Sequence, residues 1–149
     1  MSLIPAGADA PPIDGVDLGS RPRVLWFYKV TCPVCQMVAP VADRLASAYP
    51  GHVMGLGQDP DDRLSTFGAT FGATFEAISD APRYSVSERY GIEVVPTLVV
   101  VDGGRVLDVV ESWDREGYNR ASARLAERTG RDPIQASSTE DGLPSFRPG

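Results

Sequence analysis

Cys32 and Cys35 are the only cysteines in this sequence of 149 residues, and Pro33 and Val34 separate them. Two cysteines at this spacing, in a domain of this size, indicate either redox chemistry or metal binding. A disulfide between them would close a very small loop and would restrict the unfolded chain little, so its value would lie in chemistry rather than in stability. The spacing therefore predicts a dithiol/disulfide redox site.

An apolar run of strand length, residues 23–30, leads into this motif, and Pro33 is well placed for the first turn of a helix. Cys32 would then lie where a strand becomes a helix. At that point the unpaired N–H groups and the positive end of the helix dipole favour a thiolate over a thiol. We therefore expect Cys32 to be a good nucleophile at neutral pH.

The remaining apolar periodicities predict alternating strands and helices. Helices are predicted over residues 33–49, 61–71, 85–90 and 114–129, and strands over residues 23–30, 52–58, 74–79, 97–101 and 105–111. This order predicts an α/β fold with a mixed five-stranded sheet and helices on both faces. With the strands lettered A to E along the chain, we expect the order C-B-A-D-E, in which strand A is central and delivers Cys32.

The composition divides the chain into three parts. Residues 1–22 are rich in Pro, Gly and Asp and predict an extended lead-in, residues 23–130 predict one folded domain, and residues 131–149 predict a mobile tail because they are polar and have no periodicity. One domain of this size has room for a proper core, and we expect a monomer.

Net charge and apolar content exclude several functions. A net charge of −6 and an isoelectric point near 4.7 argue against nucleic acid or an anionic membrane as the main partner. The apolar runs are far shorter than the ~20 residues of a membrane span. The first residues have no basic and apolar signal pattern, so we expect a cytoplasmic protein, or an exported mature form if a signal was removed.

Three motifs in this order resemble the thioredoxin superfamily, and the details look like its TlpA-like and peroxiredoxin-like branch. They are TCPVC at residues 31–35, YGIEVVPT at residues 90–97 and DGGRVL at residues 102–107. The resemblance covers residues 6–129 and identifies residues 23–130 as a thioredoxin-like domain.

The resemblance implies a role for each site residue. Cys32 would attack a substrate disulfide, Cys35 would resolve the mixed disulfide, and Pro96 would be the family's cis-proline that faces the cysteines. The substrate-binding positions that it implies are Thr31, Pro33, Val34, Val95 and Pro96. No cofactor beyond the Cys32–Cys35 disulfide is implied, and the partners would be a protein with a disulfide or thiol and an electron donor.

Three positions depart from the family pattern. Thr31 stands where many relatives have tryptophan, Trp26 stands where thioredoxin has a buried aspartate, and Val38 stands where TlpA-like reductases often have a glutamate. Both acid positions are therefore apolar. Lys29 and Glu93 are possible substitutes, although ordinary solvated charges are the more frequent explanation for such residues.

The preferred function is reduction of protein disulfides, because Pro33-Val34 contains no histidine to stabilise the reduced form further. A non-enzymatic module that senses redox state or holds a partner is the alternative. A thiol peroxidase is less favoured, since the proline and hydroxyl residues expected before its cysteine are absent. A metal site would need two more ligands, and the only histidine, His52, is more simply a surface residue.

Overall fold

A computed structural model describes residues 2–149 and contains every helix and strand that the sequence predicts. Within this range the elements are β1 (Arg23–Tyr28), α1 (Pro33–Ala48), β2 (Val53–Gly57), α2 (Asp61–Phe71), β3 (Glu76–Ser79), α3 (Ser85–Arg89), β4 (Thr97–Asp102), β5 (Arg105–Glu111), β6 (Trp113–Asp114), α4 (Arg115–Thr129) and β7 (Phe146–Arg147). None of the helices in this range is both long enough and apolar enough to cross a membrane.

Five strands form one mixed sheet in the order β3-β2-β1-β4-β5, which confirms the predicted order. β1 is central: it pairs in parallel with β2 and antiparallel with β4. All six of its residues are buried, as expected for a strand that is covered on both faces. Because β1 ends at Tyr28, the chain leaves the middle of the sheet just before it reaches Cys32.

The alternation of side chains along β1 builds two cores, one on each face of the sheet. Trp26 and Tyr28 belong to the larger core and Leu25 and Phe27 to the smaller one. Helices α1, α2 and α4 cover the larger core with, among others, Leu45, Phe67 and Leu125. Helix α3 covers the smaller core with Val86. The helices therefore lie on both faces, as predicted.

The predicted lead-in of residues 1–22 is described from residue 2 onward, since residue 1 lies outside the described range. Backbone hydrogen bonds hold it against the sheet edge and α3, with Ile4 N–H donating to Tyr90 O at 3.0 Å. Ile13 and Leu18 are buried and complete the smaller core. The lead-in therefore covers apolar surface that α3 alone leaves open.

Residues 131–149, for which the sequence predicts a mobile tail, pack along α4 and return towards the sheet. Ala136 and Ser137 are fully buried. The Asn119 side chain donates to Ser137 O at 2.9 Å and accepts from Ser137 N–H at 3.0 Å. Polar side chains of α4 make these contacts, so the segment needs no apolar periodicity of its own. The structure differs from the prediction for this physical reason.

We expect Gly117→Ala to destabilise the fold. A Cβ atom at position 117 would lie 2.5 Å from Cγ1 of Val110, which is buried and β-branched. Helix propensity favours alanine by about 1 kcal/mol, whereas overpacking costs about 1–3 kcal/mol, so the free energy of unfolding should fall by roughly 1 kcal/mol. Urea denaturation measures this change.

Gly19→Ala is the matched control for this substitution. A Cβ atom at position 19 would meet only Asp17 Oδ1, at the ordinary contact distance of 3.7 Å. We expect this variant to be as stable as the parent protein or slightly more stable, because alanine restricts the unfolded chain. A Gly117→Ala protein that is more stable than the parent would contradict the close packing of α4 on β5.

Candidate active site

Cys32 is the N-cap residue of α1. Its backbone is extended, with φ −80° and ψ 117°, and its Sγ accepts a hydrogen bond from the Cys35 backbone N–H at 3.3 Å. Pro33 follows at the first helical position, where its missing N–H costs the helix no hydrogen bond. The loop between β1 and α1 therefore directs the sulfur at the unpaired N–H groups of the helix, as predicted.

Hydrogen bonds to Val30 fix the loop that carries Cys32. The buried Asp59 accepts a bond from Val30 N–H at 2.8 Å, and Gln36 Nε2 donates to Val30 O at 2.9 Å. The backbone N–H of Cys32 donates to Lys29 O at 3.2 Å. The position of the sulfur is therefore set by bonds from β1, from α1 and from the segment after β2.

Val95 and Pro96, just before β4, form the opposite wall of the site, and the peptide bond between them is cis. Cys32 Sγ lies 3.5 Å from Val95 O and donates a hydrogen bond to it when the thiol is protonated. Ser112 N–H donates to Pro96 O at 2.9 Å and supports this wall from behind. Two segments that are far apart in the sequence thus meet at Cys32.

The surroundings of Cys32 favour its ionised form. A hydrogen bond from the Cys35 thiol is the main cause, and backbone N–H groups of Cys35 and Val34 and the nearby charge of Arg147 add to it; together they lower the pKa of Cys32 to about 6. Partial burial opposes them but is the weaker influence. A free cysteine has a pKa of about 8.5, so Cys32 is mostly a thiolate at neutral pH.

Cys35 has the opposite character. It is completely buried in the first turn of α1. Burial raises the pKa of Cys35 far above its usual range, and the hydrogen bond that its thiol donates to Cys32 raises it further. A backbone hydrogen bond from Lys29 offsets only part of this increase. The pair therefore consists of one accessible thiolate and one buried thiol.

Aromatic side chains surround the buried thiol. Trp26 Nε1 donates to Tyr118 Oη at 2.9 Å, and Trp26 stacks on Tyr28 with ring centroids 4.7 Å apart. Tyr28 and Tyr118 are buried with Cys35 in the larger core, and this burial is the main reason that the pKa values of both tyrosines are raised. Val38 is also completely buried. Trp26 and Val38 thus supply an apolar environment where the family pattern would supply an acid.

Lys29 and Glu93, the possible substitutes for that acid, both have exposed side chains. Lys29 follows β1 and reaches Cys35 through its backbone. Glu93 lies in the loop that precedes Val95. Their participation in proton transfer stays a prediction.

The predicted substrate-binding positions differ in accessibility. Thr31 and Pro33 are exposed, Val95 is half-buried and Pro96 is buried. Val34 is only 5% exposed and packs into the larger core. Val34 therefore offers little surface to a substrate, because its position in the first turn of α1 turns it inward. Thr31 borders an open cleft of about 400 Å³, whose other lining residues include Val30, Gln36 and Phe71.

Arg147 is the site residue that the sequence analysis missed. Its charge lies close enough to Cys32 to lower the pKa of that thiol, and its Nη1 contacts Met37 Sδ at 3.7 Å. A single positive charge in a polar segment carries no signal that links it to a cysteine more than a hundred residues earlier. Only the packing of residues 131–149 brings the two together.

The chain is similar to several characterised proteins. DsbF of MTB, solved in mixed oxidized and reduced forms, is 30% identical, with 74% of this chain and 82% of that chain covered and a TM-score of 0.62. A secreted Mycobacterium tuberculosis disulfide oxidoreductase, described as homologous to E. coli DsbE, is 25% identical, with coverage of 82% and 94% and a TM-score of 0.64. Thioredoxin of Synechocystis sp. is 28% identical over 110 residues, which are 74% of this chain and 84% of that protein. No family model matches.

The sheet order, the Cys32–Cys35 pair and these similarities lead to one conclusion. The chain belongs to the thioredoxin superfamily, among relatives that include thioredoxins and DsbE/TlpA-like proteins. It is a thiol-disulfide oxidoreductase, and this activity implies protein thiols as substrates.

Alkylation of the reduced protein with iodoacetamide tests the predicted asymmetry of the two thiols. We expect the rate at Cys32 to rise with pH around a midpoint near pH 6 and then level off, because the thiolate is the reactive form. Cys35 should stay unmodified in the folded protein. Mass spectrometry of the alkylated peptides measures both sites.

Cys35→Ala is the control for the cause of this shift. It removes the thiol whose hydrogen bond contributes most to the low pKa of Cys32, so the alkylation midpoint should move up towards the value of about 8.5 for a free thiol. A parent protein that already titrates near that value would contradict the site described above.

Proposed function

We propose that the protein reduces disulfides in other proteins, with Cys32 as the attacking thiolate and Cys35 as the resolving thiol. In the first step the Cys32 thiolate attacks one sulfur of the substrate disulfide. A bond forms between Cys32 and that sulfur, the substrate disulfide breaks, and the second substrate sulfur leaves as a thiolate.

In the second step Cys35 loses its proton and attacks Cys32 Sγ. The substrate leaves as its second thiolate, and the Cys32–Cys35 disulfide forms. Two electrons have then passed from the protein dithiol to the substrate, and both substrate thiolates take up protons from solvent at neutral pH. An external dithiol must reduce the protein again before the next cycle, and we propose such a donor as the second partner.

The single observation that carries this assignment is the difference between the two sulfurs. Cys32 is accessible and has a pKa of about 6, whereas Cys35 is completely buried and its pKa is raised. Only Cys32 is able to meet the disulfide of a folded partner as a thiolate. Cys35 is well placed to attack the mixed disulfide that forms at Cys32, one helical turn away.

We propose that the substrate binds across the surface that joins Thr31 and Pro33 to Val95, with the buried Pro96 supporting Val95 from behind. The half-buried Val95 has a backbone carbonyl that already contacts Cys32 Sγ, so an extended substrate chain beside it would bring its own disulfide to that sulfur. Thr31 is smaller and more polar than an aromatic residue, so it gives the substrate-binding surface little apolar contact area. Substrate selection therefore depends more on backbone contacts than on an aromatic platform.

The reducing direction is supported by the moderate stabilisation of the thiolate. Relatives that oxidise strongly owe their high potential to a strongly stabilised reduced form, with a cysteine pKa near 3.5, while thioredoxin has a value of about 7. The Cys32 pKa of about 6 is closer to the thioredoxin value than to the value in strong oxidants. The Pro33-Val34 pair between the cysteines adds no positive charge.

The reaction needs no group besides the two sulfurs, and we propose that the protein works as a monomer without a cofactor or metal. Within residues 2–149 no three or more His, Cys, Asp and Glu side chains cluster in an arrangement that would hold a metal ion. The net charge of −6 favours proteins over nucleic acid as partners.

The cytoplasmic location that the sequence predicts stays a prediction. One of the similar structures is that of a secreted oxidoreductase, which favours the alternative of an exported protein. In that case the reducing equivalents would have to reach an oxidising compartment from outside it.

Trapping experiments test the roles of the two cysteines. In the Cys35→Ser variant, attack by Cys32 should yield a stable mixed disulfide with a disulfide-containing protein such as insulin, because the resolving thiol is missing. In the matched Cys32→Ser variant no mixed disulfide should accumulate, since Cys35 is buried. Non-reducing gel electrophoresis with mass spectrometry of the linked peptides measures both outcomes.

Parent protein treated in the same way should show only a transient adduct. Equal trapping by both single variants, or trapping through Cys35 alone, would reject the assigned roles.

A further inference from the structure

Residues 143–149 form a strap that runs from the base of α4 to the active site. We name this segment the C-terminal strap. Its residues Phe146 and Arg147 make the short strand β7, which pairs antiparallel with Trp113 and Asp114 of β6. Trp113 Nε1 donates to Pro144 O at 2.6 Å, and Arg115 N–H donates to Ser145 O at 3.0 Å.

Arg115 anchors the start of the strap. Its guanidinium donates to Leu143 O at 2.7 Å and to Ser137 Oγ at 3.0 Å, and it forms an ion pair with Asp141 at 3.5 Å. Both charged side chains of this pair are largely buried, at 12% and 15% exposure. The base of the strap is therefore held by contacts that do not involve residues 146–149.

The far end of the strap lies on the wall of the active site. Gly149 N–H donates to Ser112 Oγ at 3.1 Å. A Cβ atom added to Gly149 would lie 2.1 Å from Val95 O. This is the same carbonyl oxygen that lies 3.5 Å from Cys32 Sγ. The backbone of residue 149 thus occupies the immediate surroundings of the Val95 carbonyl.

Arg147 extends the strap across to α1. Its side chain contacts Met37 there, while Gly149 rests on the segment before β4. The strap therefore touches both walls of the groove whose centre is Cys32. The cleft beside Thr31, by contrast, is lined by α1, α2 and the loop after β1, and no strap residue contributes to it.

We propose that the C-terminal strap determines specificity by competing with protein substrates for the Val95 side of the groove. This inference rests on the proposed function. An extended peptide has to displace Pro148 and Gly149 before its backbone lies beside Val95. A small disulfide has no extended backbone to place beside Val95, so it needs only the Cys32 sulfur and does not have to displace the strap.

The far end of the strap is built to open more easily than its base. Phe146 is 55% exposed, and β7 contains only two residues. Short pairings with little apolar burial are the parts of a fold that open at low cost. When the strap covers the groove for most of the time, the apparent affinity for a protein substrate falls in proportion to the uncovered fraction.

A variant that lacks Pro148 and Gly149 tests this proposal and keeps Arg147 beside Cys32. The readout is kcat/KM for insulin divided by kcat/KM for glutathione disulfide, with dithiothreitol as the reductant for both. We expect this ratio to rise at least about fivefold, because only the protein substrate competes with the strap. An unchanged or lower ratio would overturn the proposal.

Gly149→Ala gives the same test without a deletion. The added Cβ atom cannot coexist with the Val95 carbonyl at the present distance, so the end of the strap should leave the groove and the ratio should rise again. Gly19→Ala, on an exposed turn, is the matched control and should keep the parent ratio. A ratio that stays at the parent value in Gly149→Ala would also overturn the proposal.

Activity of the parent protein towards the two substrates separates the proposed function from the proposed role of the strap. If the parent protein reduces neither insulin nor glutathione disulfide, the proposed function is wrong. If it reduces both and the ratio does not respond to either strap variant, the proposed function stands and the strap has no part in specificity.

Discussion

The contact between Cys32 Sγ and the start of α1 is the interaction on which the site depends. The sulfur accepts hydrogen bonds from the Cys35 thiol, which contributes most, and from backbone N–H groups that the helix leaves unpaired, and both stabilise a thiolate. The loop that follows the central strand β1 brings Cys32 to this position, and Asp59 and Gln36 hold the Val30 backbone within that loop. The fold therefore positions the sulfur for its chemistry.

Burial of Cys35 among aromatic side chains makes its deprotonation unfavourable. Trp26 and Tyr118 satisfy each other's polar groups and pack around Cys35, which stabilises the fold but leaves the thiol without an acidic neighbour at the Trp26 position. A buried thiol with a raised pKa resolves a mixed disulfide slowly. Attack by Cys32 therefore needs no deprotonation at neutral pH, whereas resolution requires the buried Cys35 to lose its proton.

Patterns that repeat within a short stretch of sequence were predictable, while contacts made by single polar residues were not. The apolar run of β1, the proline at the start of α1 and the order of strands and helices along the chain predict the sheet order and the position of Cys32. The packing of residues 131–149 depends on Arg115, Asn119 and Trp113, whose bonds go mainly to backbone atoms of a segment without periodicity. The composition of residues 131–149 predicts a mobile tail. For that reason the sequence gives no indication that Arg147 lies near Cys32. Val34 was expected at the substrate surface, but the helix turns it into the core.

The reduction potential of the Cys32–Cys35 couple tests the central claim most directly, because it decides between a reductase and an oxidase. Since the Cys32 pKa of about 6 is much closer to the value of about 7 in thioredoxin than to the value of about 3.5 in strong oxidants, the potential should lie near thioredoxin's value of about −270 mV. Equilibration with glutathione or dithiothreitol buffers, followed by quantification of the oxidised fraction, gives the number. A potential below about −200 mV agrees with a reductase, whereas a value near about −120 mV, as in strongly oxidising relatives, would contradict the account.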